Sequence, residues 1–255
     1  MTERTDDWDE HWSSYADSAA DNPAQAYRRR LIFKALGQPG AGARIVDVGS
    51  GTGDLVADLH ARFPGADLLG LELSAKGVEL ARGKVPSATF VQRDLLQPAD
   101  VPSEQLGWAT HLVCSEVLEH VEDPVLLLRN VAPYLAPGCR IVVTVPGGPM
   151  SAFDRYIGHR RHFRTDEIAD VVRRAGFTVE RSSGAGFPFF NLYRYVVVLR
   201  GERLVDDVAA SDGAPASGLA QLVMRAFGVL FSGNLDRSRL GYQLVAVGRL
   251  DTDTG

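Results

Sequence analysis

Two spacings of apolar residues alternate along this chain. Short apolar runs are separated by longer segments in which apolar residues recur every three or four positions. The first spacing is typical of buried strands and the second of amphipathic helices. Strands that alternate with helices predict a parallel sheet covered by helices on both faces. The predicted strands are Arg44–Val48, Asp67–Glu72, Ala88–Asp94, Trp108–Cys114, Arg140–Pro146, Thr178–Ser183 and Tyr242–Leu250.

Helix signals stand between these strands. Asp123 and Pro124 begin one predicted helix, whose apolar repeat continues until Gly138, and Thr165 begins another that runs to Ala175. Asp and Thr side chains accept hydrogen bonds from the free N–H groups of a first turn, proline fits that turn, and glycine ends a helix.

The stretch before the last strand is longer than a hairpin connection requires. Residues 187–239 contain an aromatic run, a linker rich in small and acidic residues, and a further apolar helix candidate. We predict a hydrophobic helical insertion here that acts as a lid or as a homodimer surface. Residues 41–186 and 240–250 are predicted to form the core, and residues 1–40 an N-terminal helical cover.

Composition narrows the class of partner. The 255-residue chain has a formal net charge of −5, so nucleic acid is not an expected partner. Its longest apolar runs are too short to span a bilayer and its first residues lack the apolar region of a signal peptide, so no stable membrane insertion is expected. Cys114 and Cys139 adjoin apolar runs, which predicts reduced core cysteines and a cytoplasmic location.

A glycine-rich loop, IVDVGSGTGDL, follows the first strand. Its G-x-G-x-G spacing permits a sharp turn and leaves room for a ligand against the backbone, although a tight strand-to-helix turn has the same pattern. Glu72 and Asp94 end the next two strands, where carboxylates can accept hydrogen bonds from a ribose and from an adenine amino group. Together these features predict a nucleoside site.

Charge bears on which nucleoside binds there. Asp47 lies just before the glycine loop, where it would repel a pyrophosphate and attract a cationic ligand. A nicotinamide-dependent oxidoreductase remains an alternative, because such proteins also place a carboxylate after the second strand. A non-catalytic ligand-binding or scaffolding protein is a third hypothesis.

In its motifs the chain resembles the class I S-adenosylmethionine-dependent methyltransferases. The matching segments are VDVGSGTG, GLELS, VQRDLL and CSEVLEHV, and the resemblance covers about residues 25–185. It implies a doubly wound, Rossmann-like α/β fold with seven mostly parallel strands and an antiparallel last strand. It also implies methyl transfer from S-adenosyl-L-methionine to a small-molecule acceptor. The implied cofactor contacts are Asp47, Gly49, Ser50, Gly51, Gly53, Glu72, Leu73, Asp94, Leu95 and Ser115.

The segment CSEVLEHVEDP, after the fourth strand, spaces Glu116, Glu119 and His120 at i, i+3 and i+4. In a helix all three would share one face. Because imidazole titrates near neutral pH, His120 or His159 is the predicted base for an acceptor hydroxyl. The pattern also resembles two metal-assisted branches, the small-RNA 3′-end 2′-O-methyltransferases and the catechol-type O-methyltransferases of ubiquinone synthesis. That resemblance implies Glu116, Glu119, His120 and His162 as ligands, whereas our prediction is a metal-free enzyme.

The acceptor is predicted to be a small molecule methylated on oxygen. Methylation of a nitrogen atom in a small molecule or peptide remains an alternative. Only three of the 27 basic residues are lysines, which suggests a GC-rich source and a role in secondary metabolism. The signature NPPY or DPPY is absent after the fourth strand, so adenine methylation in DNA is not expected. Predicted acceptor contacts are Trp12, Tyr15, Tyr156, His162, Phe189 and Tyr193.

Overall fold

One seven-stranded sheet organises the protein. The computed structural model describes residues 8–9, 22–98, 100–203 and 218–251. The strands are β1 (Arg44–Val48), β2 (Asp67–Glu72), β3 (Thr89–Gln92), β4 (Ala109–Ser115), β5 (Leu135–Pro146), β6 (Phe177–Ala185) and β7 (Gln243–Leu250). All seven lie where the apolar runs predicted strands, with differences at their ends.

Helices connect and cover these strands. They are α1 (Pro23–Leu36), α2 (Asp54–Arg62), α3 (Ala75–Lys84), α4 (Pro124–Val131), α5 (Ala152–Tyr156), α6 (Thr165–Arg174), α7 (Phe189–Arg200) and α8 (Gly218–Leu230). The last two belong to the predicted insertion. Short 3₁₀ turns lie at Ser103–Gln105, Ala132–Tyr134 and Phe231–Gly233.

The predicted end of α4 is wrong. Asp123 does cap this helix, since its carboxylate accepts a hydrogen bond from the Leu126 N–H at 2.9 Å. The helix nevertheless stops at Val131 and not at Gly138. Pro133 has no N–H to continue an α-helical ladder, and Leu135 already pairs with β4 in the sheet.

The strand order is β3-β2-β1-β4-β5-β7-β6, and β7 runs antiparallel to both of its neighbours. The predicted fold class is therefore confirmed. Chain order reverses between the neighbours β1 and β4, and open α/β sheets bind ligands beyond the carboxyl ends of the strands at such a point. The glycine loop after β1 and the acidic segment after β4 meet there.

Two apolar cores cover the two faces of the sheet. One core packs α4 and α6 against the strands and includes Tyr134 and Phe177. The other contains residues of α1, α2, α3, α7 and α8. Within it the ring of Tyr27 lies 5.5 Å from that of Phe190 and 5.6 Å from that of Phe231. One side of the insertion is therefore part of the core, where burial stabilises by about 25 cal/mol per Å².

Candidate active site

The glycine loop packs tightly against the segment after β4. Gly49 and Gly53 have φ values of 70° and 81°, in the left-handed region that favours glycine. A Cβ atom on Gly49 would lie 2.4 Å from Cγ2 of Val117, and one on Gly53 would lie 2.9 Å from Cβ of Ala81. Side chains at either position would clash, so the loop brings bare backbone to the edge of the sheet.

Glu72 joins this loop to the end of β2. One carboxylate oxygen accepts a hydrogen bond from the Gly51 N–H at 2.7 Å, and the other accepts one from the Ser74 N–H at 2.9 Å. The side chain is 5 % exposed. The carboxylate is thereby held between two loops, at the place where a ribose acid is predicted.

The predicted adenine contacts lie farther along the same edge. The Asp94 carboxylate is exposed and accepts a hydrogen bond from the Leu96 N–H at 2.9 Å. Leu95 is buried beside it, and the Leu73 side chain is 47 % exposed. These residues form an apolar and acidic rim after β2 and β3.

Asp47 is a buried acid close to a second acid. Its side chain is 3 % exposed, and burial together with the charge of Glu72 raises the pKa of Asp47 to about 8. A cationic ligand would relieve this repulsion, whereas an anionic one would add to it. Ser50, three residues later in the chain, has a buried Oγ with no hydrogen-bond partner among the described residues.

The segment after β4 is not a helix, so the predicted shared face of Glu116, Glu119 and His120 is wrong. Glu116 has a φ of 58°, which breaks any helical path, and a turn follows up to His120. A non-glycine residue in this conformation is uncommon and is often found at functional sites. The three residues therefore do not lie on one helical face.

Glu116 points to groups that are remote in sequence. Its carboxylate accepts hydrogen bonds from Nε2 of Gln243 at 2.8 Å and from Oγ1 of Thr144 at 3.1 Å. Its other oxygen lies 3.1 Å from Nε of Arg28 on α1. The same Thr144 hydroxyl is 2.8 Å from Oγ of Ser115, the predicted neighbour of the reactive methyl group. This polar network fixes the end of β4.

The side chains of Glu119 and His120 lie close to that of His159. Glu119 has no exposed surface, and neither of its carboxylate oxygens has a hydrogen-bond partner among the described residues. The His159 ring lies 4.7 Å from that of His120, and its Nε2 is 4.0 Å from Glu119. Burial raises the pKa of Glu119 well above its usual range. Burial and the neighbouring His120 lower the pKa of His159 to about 3.

Hydrogen bonds determine which nitrogen of His159 carries the proton. Nδ1 of His162 lies 3.1 Å from the Gly148 carbonyl oxygen, which can only accept, so this nitrogen is protonated. In a neutral ring Nε2 of His162 is then the acceptor, and Nδ1 of His159 donates to it across 3.2 Å. Nε2 of His159 is left with a lone pair that faces Glu119.

Asp154 anchors this histidine pair to the insertion. Its carboxylate accepts hydrogen bonds at 2.7 Å from Arg194 on α7 and from the backbone and hydroxyl of Ser151. Burial acts to raise its pKa, but Arg194 and Ser151 lower the pKa of Asp154 to about 2. Asp154 is therefore a permanent anion whose charge is taken up by Arg194.

The metal ligands implied by resemblance are not brought together as one set. Candidate ligand atoms of Glu119, His120 and His159 lie within 4.8 Å of one another, as do those of Asp154, His159 and His162. Two imidazoles and a carboxylate suit Zn²⁺. Glu116 belongs to neither group in the described part of the chain, however, and its charge is opposed by Arg28.

The predicted acceptor contacts are scattered. Tyr156 is 42 % exposed, and His162 belongs to the buried histidine pair. Phe189 and Tyr193 pack against the second core, where the Tyr193 ring lies 5.4 Å from that of Phe227. Trp12 and Tyr15 lie outside the described residues. A direct contact of these side chains with an acceptor stays a prediction.

Two described residues of the N-terminal region lie across the edge of the sheet. The Trp8 ring is 4.9 Å from that of His120, after β4. The next residue, Asp9, accepts hydrogen bonds from the Ser74 hydroxyl and, at 3.1 Å, from the Lys76 N–H, after β2. Trp8 was not among the residues predicted from sequence. Its place beside His120 is compatible with the predicted N-terminal cover.

Comparison with known proteins agrees with this geometry. A family described as "Methyltransferase domain" matches residues 20–182. The chain belongs to this methyltransferase family. It is 32 % identical over 171 residues to the ubiquinone biosynthesis O-methyltransferase of Xanthomonas axonopodis pv. citri, covering 61 % of this methyltransferase and 71 % of that protein. The nicotinamide-dependent alternative is therefore wrong.

Solved structures share the fold. A complex between the Haloferax volcanii Trm112 methyltransferase activator and a putative methyltransferase contains a chain that superposes with a TM-score of 0.64 at 18 % identity, over 97 % of this chain and 98 % of that one. Phosphoethanolamine N-methyltransferase 2 of Haemonchus contortus, in complex with S-adenosyl-L-methionine, gives a TM-score of 0.57 at 16 % identity, over 88 % and 52 %. The protein is an S-adenosylmethionine-dependent methyltransferase, and the buried acids Asp47 and Glu72 fit a cofactor that carries positive charge.

Proposed function

We propose that this methyltransferase methylates a hydroxyl oxygen of a small molecule, with Glu119 and His159 together accepting the hydroxyl proton. The observation that carries the proposal is the buried Glu119, which has no hydrogen-bond partner among the described residues and lies beside an imidazole lone pair. The turn that holds it contacts the glycine loop through Val117. The name of the Xanthomonas relative, an O-methyltransferase, also supports an oxygen acceptor.

In this proposal, residues at the ends of β1 to β4 bind the cofactor. We assign Asp47 with the glycine-loop backbone to the methionyl part, Glu72 to the ribose, and Asp94 with Leu95 to the adenine. Ser115 lies near the reactive group. The bound cofactor supplies an electrophilic methyl group on a sulfonium, and the protein's task is to align the acceptor, exclude water and remove a proton.

Glu119 and His159 have different roles in accepting the proton. His159 is neutral across the physiological range, because its pKa is near 3, and alone it is a weak base. Glu119 has a raised pKa, so its carboxylate holds a proton more tightly than an ordinary one and is the stronger base once ionised. His162 holds the His159 ring so that its Nε2 faces Glu119, and this nitrogen stabilises the proton that Glu119 receives.

The test uses paired acceptors and a matched variant. Methyl-labelled cofactor is incubated with phenols, catechols and the corresponding anilines. We expect label on oxygen, and a loss of about 10²–10⁴-fold in kcat for Glu119→Gln, the range for removal of a general base. Glu122→Gln is the control, because Glu122 lies three residues on and its side chain is 73 % exposed. Label only on the anilines, or a Glu119→Gln enzyme as fast as the control, would overturn the proposal.

A further inference from the structure

The loop after β5 contains a carbonyl group on which the histidine pair depends. The Gly148 carbonyl oxygen accepts the hydrogen bond that keeps the proton of His162 on Nδ1. Gly148 has a φ of 71°, and both it and Pro149 are exposed. A glycine in an exposed loop has wide conformational freedom. The direction of this carbonyl group therefore depends on what packs against the loop.

Tyr242, the residue before β7, packs against this glycine. A Cβ atom on Gly148 would lie 2.7 Å from both Cγ and Cδ1 of Tyr242, so the ring lies directly against the loop. The Tyr242 carbonyl oxygen also accepts a hydrogen bond from the Gly147 N–H at 2.7 Å. Tyr242 therefore contacts the loop through its ring and through its backbone.

Helix α7 of the insertion holds Tyr242 in place. The Tyr242 N–H donates to Oδ1 of Asn191 at 3.0 Å, and Asn191 is 7 % exposed. The Tyr242 hydroxyl lies 2.6 Å from that of Tyr195, and the two ring centroids are 5.6 Å apart. Asn191 and Tyr195 are spaced i, i+4 and so lie on the same side of α7. One residue of α7 fixes the backbone of Tyr242 and the other contacts its ring.

Two arrangements of protons are open to the histidine pair, because the two rings are bonded to each other. With the proton of His162 on Nδ1, its Nε2 accepts from Nδ1 of His159 across 3.2 Å. Nε2 of His159 then keeps a lone pair that faces Glu119, 4.0 Å away. With the proton of His162 on Nε2 instead, Nδ1 of His159 must accept, so His159 carries its own proton on Nε2. The lone pair toward Glu119 is then lost.

The second arrangement is favoured by everything except the Gly148 carbonyl group. A neutral histidine side chain in water prefers its proton on Nε2. The carboxylate of Asp154, whose Oδ2 lies 3.7 Å from Nε2 of His162, also attracts a proton to that nitrogen. Burial lowers the pKa of both histidines, so the two arrangements differ in the position of a proton and not in charge. The hydrogen bond that the other nitrogen makes selects between them.

We propose that Tyr242 is a positioning residue, which holds the loop after β5 so that the lone pair of His159 stays directed at Glu119. Its effect on the rate rests on the proposed function, in which this lone pair stabilises the transferred proton. The contacts of Asn191 and Tyr195 make α7 the support of this arrangement. The insertion thereby acts on the proton-accepting pair without touching it.

Nitrogen NMR of protein labelled with ¹⁵N in its histidines locates the protons. Long-range ¹H–¹⁵N correlations at neutral pH distinguish a protonated ring nitrogen from one with a lone pair. The variants His159→Gln and His162→Gln assign the signals. In the wild type we expect the proton on Nδ1 of both rings. A wild-type proton on Nε2 of His159 would overturn the proposal before any variant of Tyr242 is made.

Variants of Tyr242 test whether its ring is responsible. Tyr242→Leu removes the ring and is expected to move both protons to Nε2 and to lower kcat by about 10–10²-fold, as a misplaced catalytic group does. Its affinity for S-adenosylmethionine should not change. Tyr242→Phe is the matched variant, which keeps the ring against Gly148 and should keep the wild-type signals and rate. Leu240→Ala is the regional control, because Leu240 is 60 % exposed two residues before Tyr242.

The outcomes separate this proposal from the proposed function. It fails if folded Tyr242→Leu keeps both protons on Nδ1, or if Tyr242→Phe or Leu240→Ala moves them as fully. If Tyr242→Leu does not fold, Gly148→Ala tests the same contact, since its Cβ would push the ring away and should move the protons likewise. Moved protons with an unchanged kcat would confirm the positioning by Tyr242 and remove His159 from the proposed mechanism.

Discussion

Nε2 of His159 lies 4.0 Å from a carboxylate oxygen of Glu119, a side chain with no exposed surface. The His159 side chain is 8 % exposed, so both groups are largely removed from solvent and the two are expected to titrate as a pair. Burial favours the neutral form of both groups, which raises the pKa of the acid and lowers that of the base. The resting pair is therefore a neutral acid beside a neutral imidazole.

This pairing sets the expected pH dependence of catalysis. Because Glu119 must be ionised to accept a proton, kcat/KM should rise with pH, with a midpoint well above the range of an ordinary carboxyl group. His159 stays neutral, so the pH–rate profile should show no additional limb near pH 6.5, the ordinary pKa of histidine. The measurement is a pH–rate profile of the wild type and of Glu119→Gln, in which the rise should vanish. A limb near 6.5 that His159→Asn removes would assign the base to histidine instead.

Asp47 is expected to oppose folding and favour cofactor binding. In the unfolded chain its pKa is about 3.9, and in the folded protein without cofactor it is about 8. Between these values the unfolded chain is ionised while the folded protein keeps its proton, so the Asp47 contribution to stability is lost as pH rises. Asp47→Asn should therefore raise Tm relative to wild type by more at pH 8 than at pH 5.

The same variant should bind the cofactor at least tenfold more weakly, since a neutral amide cannot balance a cationic ligand. Titration calorimetry of wild type and variant measures both the affinity and the protons released on binding, and release near pH 7 should be smaller in the variant. A variant that binds normally would remove Asp47 from the cofactor site.

Substitutions of Glu72 and Asp94 should differ in their effects on cofactor binding and on stability. Each variant, Glu72→Gln and Asp94→Ala, should weaken cofactor binding by about 1–3 kcal/mol for a charge-assisted hydrogen bond. Glu72→Gln should lower Tm by more than Asp94→Ala, because the buried Glu72 carboxylate accepts hydrogen bonds from two backbone N–H groups, whereas the exposed Asp94 carboxylate accepts one, from Leu96. Normal cofactor affinity in both folded variants would contradict the assignment of the nucleoside site.

Chelators are expected to leave activity unchanged. Glu116 is engaged by Arg28, Gln243 and Thr144, and Asp154 by Arg194, which leaves one carboxylate among the candidate ligands. The assay compares enzyme treated with EDTA or phenanthroline against untreated enzyme, with Mg²⁺, Mn²⁺ or Zn²⁺ added back. If chelation abolishes activity and one ion restores it, Glu119, His120 and His159 act as a metal site.

The arrangement of the glycine loop and of the acids at the ends of β2 and β3 could be predicted from the sequence, because its signals are local. A glycine loop directly after a strand, and acids at the ends of the next two strands, fall at the same edge of any parallel sheet. The structure brings Glu72 to the loop, where it bonds Gly51.

The surroundings of Glu116 and Glu119 were harder to predict from the sequence, for two physical reasons. The spacing of Glu116 and Glu119 is compatible with a helix. The positive φ of Glu116, which prevents a helix, is seen in the structure and cannot be predicted from the residue pattern. The partners of Glu116 also come from afar: Arg28 precedes it by 88 positions and Gln243 follows it by 127. No periodicity within a short window connects such residues.

The insertion enters and leaves the sheet at neighbouring positions. Ala185 and Gln243 pair across β6 and β7, so the two ends of the segment are separated by one strand spacing, about 5 Å. Doubling the length of a flexible loop costs only about 0.6 kcal/mol in closure entropy. Because the two strand ends stay one strand spacing apart whatever the length of the chain between them, this segment can change in length without moving the strand ends that carry the glycine loop.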